Sequence, residues 1–146
     1  MNILIVSGEM SGDLYASYLA KALKDSISNC YIFGVGGNQL KRQCDQFLFE
    51  SAYMHQLSVL NLLFKTNAQK NILKTLNNTV RSTKINHAII VDFQLHNESI
   101  ASIFNHKNIP ISTFVTPNFW MYNQTKKAKV IVSYSYQIFT IFEKEY

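Results

Sequence analysis

Short apolar runs alternate with stretches of helical period along this chain. Ile3 to Val6 is a continuous apolar run rich in β-branched residues that ends at Gly8, the pattern of a strand buried on both faces. From about Gly12 to Lys24 the period becomes helical, and Leu14, Tyr15, Tyr18, Leu19, Ala22 and Leu23 form the predicted apolar stripe. Tyr31 to Val35 predicts a second strand, ending in Gly36-Gly37 and followed by a short helix around Asn38 to Gln43. Between Phe47 and Lys65 no period dominates; Leu57, Val59, Leu60, Leu62, Leu63 and Phe64 form an apolar patch with no assigned element. Thr66 to Ser82 is predicted helical, with Ile72, Leu73, Leu76 and Val80 on one face. His87 to Asp92 is the clearest buried strand, Glu98 to His106 a helix turning Ile100, Ile103 and Phe104 inward, and Pro110 to Val115 another strand. A loop from Thr116 to Tyr122 leads to a short basic helix near Lys126, and a last strand or pair of strands is expected from Val130 to Ile141.

That order predicts an α/β fold: a Rossmann-like, doubly wound, mostly parallel sheet forming one domain over residues 1–146. A chain of 146 residues can bury one real core but not two. With 47% hydrophobic and 16% charged residues the composition is that of a folded domain and excludes a disordered one. No apolar run is long enough to span a bilayer. Met1 to Val6 lacks a basic leader and a cleavage site and reads as a strand, not a signal peptide. Cys30 and Cys44 have no metal-ligand spacing and read as reduced thiols. The net charge of +5 favours anionic partners, such as phosphate-bearing substrates or acidic lipid headgroups. The lysines are scattered except at Lys126, Lys127 and Lys129, and no arginine-rich stripe with interleaved aromatics occurs, so nucleic acid is not an expected partner.

In such sheets ligands bind beyond the carboxyl ends of the strands. The residues expected there are Ser7 to Asp13, Gly34 to Asn38, Asp92 to Asn97, and Thr116 to Trp120. The Gly8 to Asp13 loop lets backbone amides approach a ligand at a helix start, or is a plain tight turn. No lysine follows Gly12, so it is not a Walker A loop, and Gln39 stands where a dinucleotide fingerprint has its third glycine. Asp13 also suits the dipole of its own helix. Asp92 closes an apolar strand, where a carboxylate is costly unless hydrogen-bonded or functional; it reads either as a general base for a sugar hydroxyl or as a cap of the next turn. His96 reads as a solvated loop residue or an assistant to Asp92. Trp120, with Phe119, Met121 and Tyr122, is either core or an aromatic patch at a lipid interface.

Six segments in order resemble the lipid-A-disaccharide synthase family. Ser7-Gly8-Glu9-Met10-Ser11-Gly12-Asp13 is similar to its opening (A/S)GExSGD signature, and Phe33 to Gly37 to its FxGVGG segment. Leu57 to Leu60 resembles LSVMG, with Asn61 in place of the glycine. Val91-Asp92 followed by Asn97 fits the frame of (I/V)DxPDFN, Val115 to Trp120 resembles VSPSVWAW, and Phe142-Glu143-Lys144 resembles the PFE segment.

The resemblance implies the N-terminal half of a two-domain GT-B architecture, with the UDP-binding C-terminal domain absent. It implies a membrane-associated hexosyltransferase of lipid A (lipopolysaccharide) biosynthesis. Such an enzyme joins UDP-diacylglucosamine to diacylglucosamine 1-phosphate, forms a β-1,6-linked disaccharide and releases UDP. No metal or other cofactor is implied. The implied catalytic residue is Asp92. The implied substrate-binding residues are Glu9, Ser11, Gly12, Asp13, Gly36, Gly37, Asn97, Thr116, Asn118 and Trp120. Leu57 to Phe64 is the implied acyl- or membrane-contacting surface. The expected location is cytoplasmic, peripheral to the cytoplasmic face of the inner membrane, and a second chain is an expected source of the UDP-binding domain. In the aspartate motif Gln94, Leu95 and His96 replace Pro, Asp and Phe, so its second carboxylate is gone. Tyr122 replaces the second tryptophan and Ile141 the proline of PFE. The alternatives are a partial or inactive module that binds a lipid or phosphosugar without turnover, half of a split enzyme, and an ordinary Rossmann oxidoreductase. The missing glycine fingerprint counts against the last.

Overall fold

A computed structural model describes residues 1–51, 62–91, 97–115 and 125–140, with the side chains of 62–69, 97 and 125–128 left aside. The first apolar run forms β1 (Asn2–Ser7), and α1 (Met10–Ser26) returns the chain to β2 (Tyr31–Gly36). A single turn, α2 (Asn38–Lys41), leads into β3 (Gln46–Glu50). Next come α3 (Leu62–Ser82), β4 (His87–Val91), α4 (Asn97–Asn105), β5 (Ile111–Phe114), α5 (Thr125–Tyr134) and β6 (Gln137–Phe139). The six strands form one sheet in the order β3-β2-β1-β4-β5-β6, and every pairing is parallel. This is the doubly wound Rossmann order.

Alternation along each central strand divides the core in two. Leu4, Val6, Phe33, Val35, Ala88 and Ile90 point toward α3 and α4, where Ile72, Leu76, Val80, Ile100, Ala101 and Phe104 meet them. Those helical residues recur every three or four positions, so each helix has one inward stripe, as its sequence period predicts. Ile3, Ile5, Ile32, Ile89 and Val91 point to the other side, against Ala16 and Ala20 of α1 and Leu40 of α2. Burying an aliphatic or aromatic side chain of this size contributes about 1.5–3 kcal/mol.

Four expectations are corrected. The inward face of α1 is the predicted stripe only in part: Leu19 and Leu23 pack half-buried on the core, but Leu14, Tyr15, Tyr18 and Ala22 are exposed. Gly12, Asp13, Ala16, Ser17 and Ala20 are buried, while Tyr18 is 64% exposed and Leu14 and Tyr15 also face solvent. Small residues four apart let the helix lie close to the sheet, and bulk on that face would hold it off. Second, the segment without a clear period contains edge strand β3, whose pairing with β2 shifts register between Gly34 and Val35. Third, α3 begins at Leu62, four residues before the predicted start. Fourth, Val130 to Tyr134 is helical and only Gln137–Phe139 is strand. The β-branched run favours a strand locally, but joining parallel β5 to β6 requires a crossover, and Ile131 is buried as part of that helix. Among the described residues no helix is long and apolar enough to cross a membrane.

Candidate functional site

The strand order reverses direction at β1, which has β2 on one side and β4 on the other. Ligand crevices of doubly wound sheets lie at such a switch, beyond the carboxyl ends. Ser7, the last residue of β1, pairs with Val91, the last residue of β4. The loop opening at Gly8 and the segment opening at Asp92 therefore leave adjacent strands at the same level. Asp92 itself, with Thr116, Asn118 and Trp120, lies outside the described residues. So do Leu57 to Asn61, Gln94 to His96 and Phe142 to Lys144; the side chains of Leu62 to Phe64 are likewise outside, though α3 carries their backbone. Asn97 is the first residue of α4.

Glu9 takes the N-cap position of α1 with extended backbone (φ −125°, ψ 165°), and its carbonyl accepts the Asp13 amide at 2.8 Å. Its side chain makes no cap hydrogen bond to the helix. Ser11 is exposed on the first turn, while Gly12 is buried against the sheet. The helix dipole and its first amides are thus directed to the carboxyl edge, beside the end of β4.

Asp13 does something the sequence did not indicate. Only 4% exposed, its carboxylate reaches across to the second βα turn. Oδ1 accepts the amide protons of Gly37 at 2.7 Å and Leu40 at 3.1 Å, and Oδ2 accepts that of Gln39 at 2.9 Å. These are the orphan amides at the start of α2, so Asp13 caps a helix 24 residues further along the chain, not its own.

Gly36 makes this arrangement fit. A β-carbon there would stand 2.5 Å from Ser7 Oγ, 2.9 Å from Leu40 Cδ2 and 3.1 Å from Asp13 Oδ1. Gly34, two residues earlier on the same face, leaves room for Cys44: a β-carbon would meet its sulfur at 2.1 Å. Burial pushes the Cys44 thiol up to about 12, and the Cys30 thiol is also raised by burial. The glycine pattern of Phe33 to Gly37 therefore has a packing reason: glycines face α2 while Phe33 and Val35 face the opposite core.

Ser51 joins this cluster, and sequence reasoning missed it. It is fully buried, its hydroxyl donates to the Ser7 carbonyl at 2.5 Å, and its amide donates to the Gly36 carbonyl at 2.7 Å. It ties together the ends of β1 and β2 where the chain leaves β3. A lone serine after an unclear strand carries no signal of this. Ser7 Oγ is fully buried and has no hydrogen-bond partner among the described residues. At the end of β5, Val115 is held at φ 60°, a left-handed conformation that costs a β-branched residue of order 1–3 kcal/mol. Its amide donates to the Phe139 carbonyl at 2.9 Å.

Of the expected site residues, Glu9, Ser11, Gly12, Asp13, Gly36 and Gly37 thus gather at the carboxyl ends of β1 and β2. The sequence profile of the lipid-A-disaccharide synthetase family matches residues 3–146. The chain belongs to the lipid-A-disaccharide synthetase family. A lipid-A-disaccharide synthase of Myxococcus xanthus is 30% identical over 84% of this chain. Those of Coxiella burnetii (strain Dugway 5J108-111) and Francisella philomiragia are 24% and 26% identical over 99% and 89% of it. The matched regions cover 32%, 39% and 34% of these three synthases, so the chain spans only about a third to two-fifths of their length. For a lipid-A-disaccharide synthetase family member, the Asp13 bridge gives the last residue of the opening signature a physical partner in the FxGVGG segment.

Proposed function

We propose that this chain is the acceptor-side part of a glycosyltransferase of lipid A biosynthesis. In the reaction, a hydroxyl of diacylglucosamine 1-phosphate attacks the anomeric carbon of UDP-diacylglucosamine. The hydroxyl proton passes to Asp92 as general base, the anomeric carbon–oxygen bond to UDP breaks, and UDP leaves with that electron pair. Family membership supports this reading, and one structural observation carries it: Ser7 and Val91 are paired, so the opening signature and Asp92 follow neighbouring strand ends at the switch point. In this reading Glu9, Ser11 and the first turn of α1 face the acceptor. A UDP-binding domain, in the same or a second chain, holds the donor. The enzyme works at the cytoplasmic face of the inner membrane.

A second reading is a module that binds the phosphoglycolipid without turnover. It is favoured by Gln94, Leu95 and His96, which remove the second carboxylate of the aspartate motif. A transferase assay with both lipid substrates, run on the purified chain and its Asp92→Ala variant, separates the two. Turnover that disappears in the variant supports catalysis. Acceptor binding without turnover supports the module or a half-enzyme, which turnover on adding a UDP-binding domain from a relative would tell apart, and neither turnover nor acceptor binding discards both.

A further inference from the structure

Between α3 and α4, on the side of the sheet away from α1, lies an open groove of about 700 Å3. Leu73, Asn77 and Arg81 of α3 border it at four-residue intervals. Ser99, Ser102 and Ile103 of α4, with His106 just beyond its end, follow the spacing i, i+3, i+4, i+7. That is the face one helix turns to another. The residues that tie these helices to the sheet are different ones, Ile72, Leu76 and Val80 on α3 and Ile100, Ala101 and Phe104 on α4. Each helix thus has a second face at helical spacing, and both second faces open on the same groove.

The chemistry of the groove is as specific as its spacing. Lys74, Arg81 and Lys107, all exposed, form its rim. Leu73 and Ile103, half-buried against the core, form its floor. α3 carries no acidic residue, and α4 only Glu98, which is not among the lining residues. Among the described residues none of the three cations is in a salt bridge. A flat surface laid on this rim leaves the recessed floor uncovered, whereas a helix, about 10 Å across with its side chains, can enter it. Lys74 and Arg81 stand two helical turns, or roughly 10 Å, apart along α3. Acidic side chains two turns apart on a helix lying in the groove repeat at the same interval, and the apolar residues between them reach the floor. The aliphatic floor offers no ring on which a nucleic acid base could stack.

We propose that the α3–α4 groove docks an acidic amphipathic helix of a partner protein. Its carboxylates pair with Lys74, Arg81 and Lys107, and its apolar stripe covers Leu73 and Ile103. The groove follows the C-terminal part of α3, which leads to the amino end of β4. A helix docked there leaves the crevice at the carboxyl ends open, so the proposal does not rest on glycosyl transfer.

The test is fluorescence anisotropy of labelled synthetic peptides titrated with the full chain. The first peptide has leucines on one helical face, flanked by glutamates two turns apart. A second has the same composition scrambled so that no face is apolar, and a third has lysine for every glutamate. The first is expected to bind, the second about tenfold more weakly, and the third not at all. Lys74→Gln/Arg81→Gln/Lys107→Gln should weaken the first on the order of tenfold. Ser102→Tyr, which fills the groove from an exposed position and keeps every charge, should also weaken it. The charge-matched Lys21→Gln/Lys41→Gln/Arg42→Gln, on the α1–α2 side, should change it little. No binding of the first peptide, equal binding of the scrambled one, equal losses in the two triple variants, or no effect of Ser102→Tyr would overturn the proposal. Tighter binding of phosphatidylglycerol vesicles or single-stranded DNA, displacing the peptide, would overturn it too and assign the groove to that ligand. Circular dichroism checks that the variants fold; should the groove variants not fold, the ranking of the three peptides on the wild-type chain decides.

Discussion

The Asp13 carboxylate accepts the Gly37 amide at 2.7 Å, joining two loops that leave different strands. With Gln39 and Leu40 it satisfies three buried or half-buried amides at once. An isosteric amide cannot do the same, because one of its two terminal atoms donates instead of accepting. Asp13→Asn is therefore expected to lower stability by about 1–3 kcal/mol, and Asp13→Ala by more. Urea unfolding measures this, and amide exchange should quicken at Gly37, Gln39 and Leu40 in particular. Unchanged exchange at these three amides would show that the bridge is not formed in solution.

Gly34→Ala forces a β-carbon to within 2.1 Å of the Cys44 sulfur. Overpacking of this kind typically costs 1–3 kcal/mol. In the Gly34→Ala/Cys44→Ala double variant the clash is gone, so the two substitutions should be less destabilising together than their sum. A double-mutant cycle by urea unfolding reads that coupling directly. Additive effects would mean that the sulfur does not sit over Gly34.

Ser7 Oγ is buried without a partner among the described residues. An unsatisfied buried hydroxyl carries a penalty of about 1–3 kcal/mol. The main-chain carbonyl of Ser7, not its side chain, holds Ser51. Ser7→Ala should accordingly raise stability, by about 1 kcal/mol, while leaving the strand ends clamped. A loss of stability on urea unfolding would reveal a hydrogen bond that the hydroxyl makes in solution.

Burial holds His87 below its ordinary value of 6.5, with Nε2 2.8 Å from Ser112 Oγ. The unfolded chain then takes up a proton first as the pH falls. The stability contributed by neutral His87 is fully present above 6.5 and is lost as the pH drops through the lower folded value. Asp45 is also held below its ordinary value of 3.8. Burial opposes this, but the Ile32 amide and Lys24 outweigh it, so its contribution is lost only at still lower pH. Unfolding followed between these two values should show a decline that His87→Gln flattens; an unaltered profile in that variant would assign the decline elsewhere.

The layered α/β plan was legible because β1, β2 and β4 are short apolar runs separated by turn signals, and burial on both faces leaves little else for such runs to become. β3 was not, because an edge strand is only partly buried and its residues carry a weak pattern. Val130 to Tyr134 misled for the opposite reason: local β-branched preference was strong, and tertiary connection overrode it. At the candidate site, the first loop and the glycine turn were legible as positions. The link between them was not, since Asp13 bonds to backbone amides, and amides have no sequence signature. Ser51 was hidden for the same reason: its partners are a carbonyl of Ser7 and a carbonyl of Gly36.

The close seating of α1 on Gly12, Ala16 and Ala20 inverts the usual expectation about which residues can change. Leu19 and Leu23 pack on the core, whereas three large side chains of this helix, Leu14, Tyr15 and Tyr18, face outward and can drift with little penalty. Its smallest residues cannot, since any enlargement lifts the helix and moves the Asp13 carboxylate away from the turn it holds. At Gly12, Ala16 and Ala20, substitution is therefore limited by room and not by hydrophobicity, and a comparison weighted toward bulk would rank these positions below Leu14, Tyr15 and Tyr18, in reverse of what the packing requires.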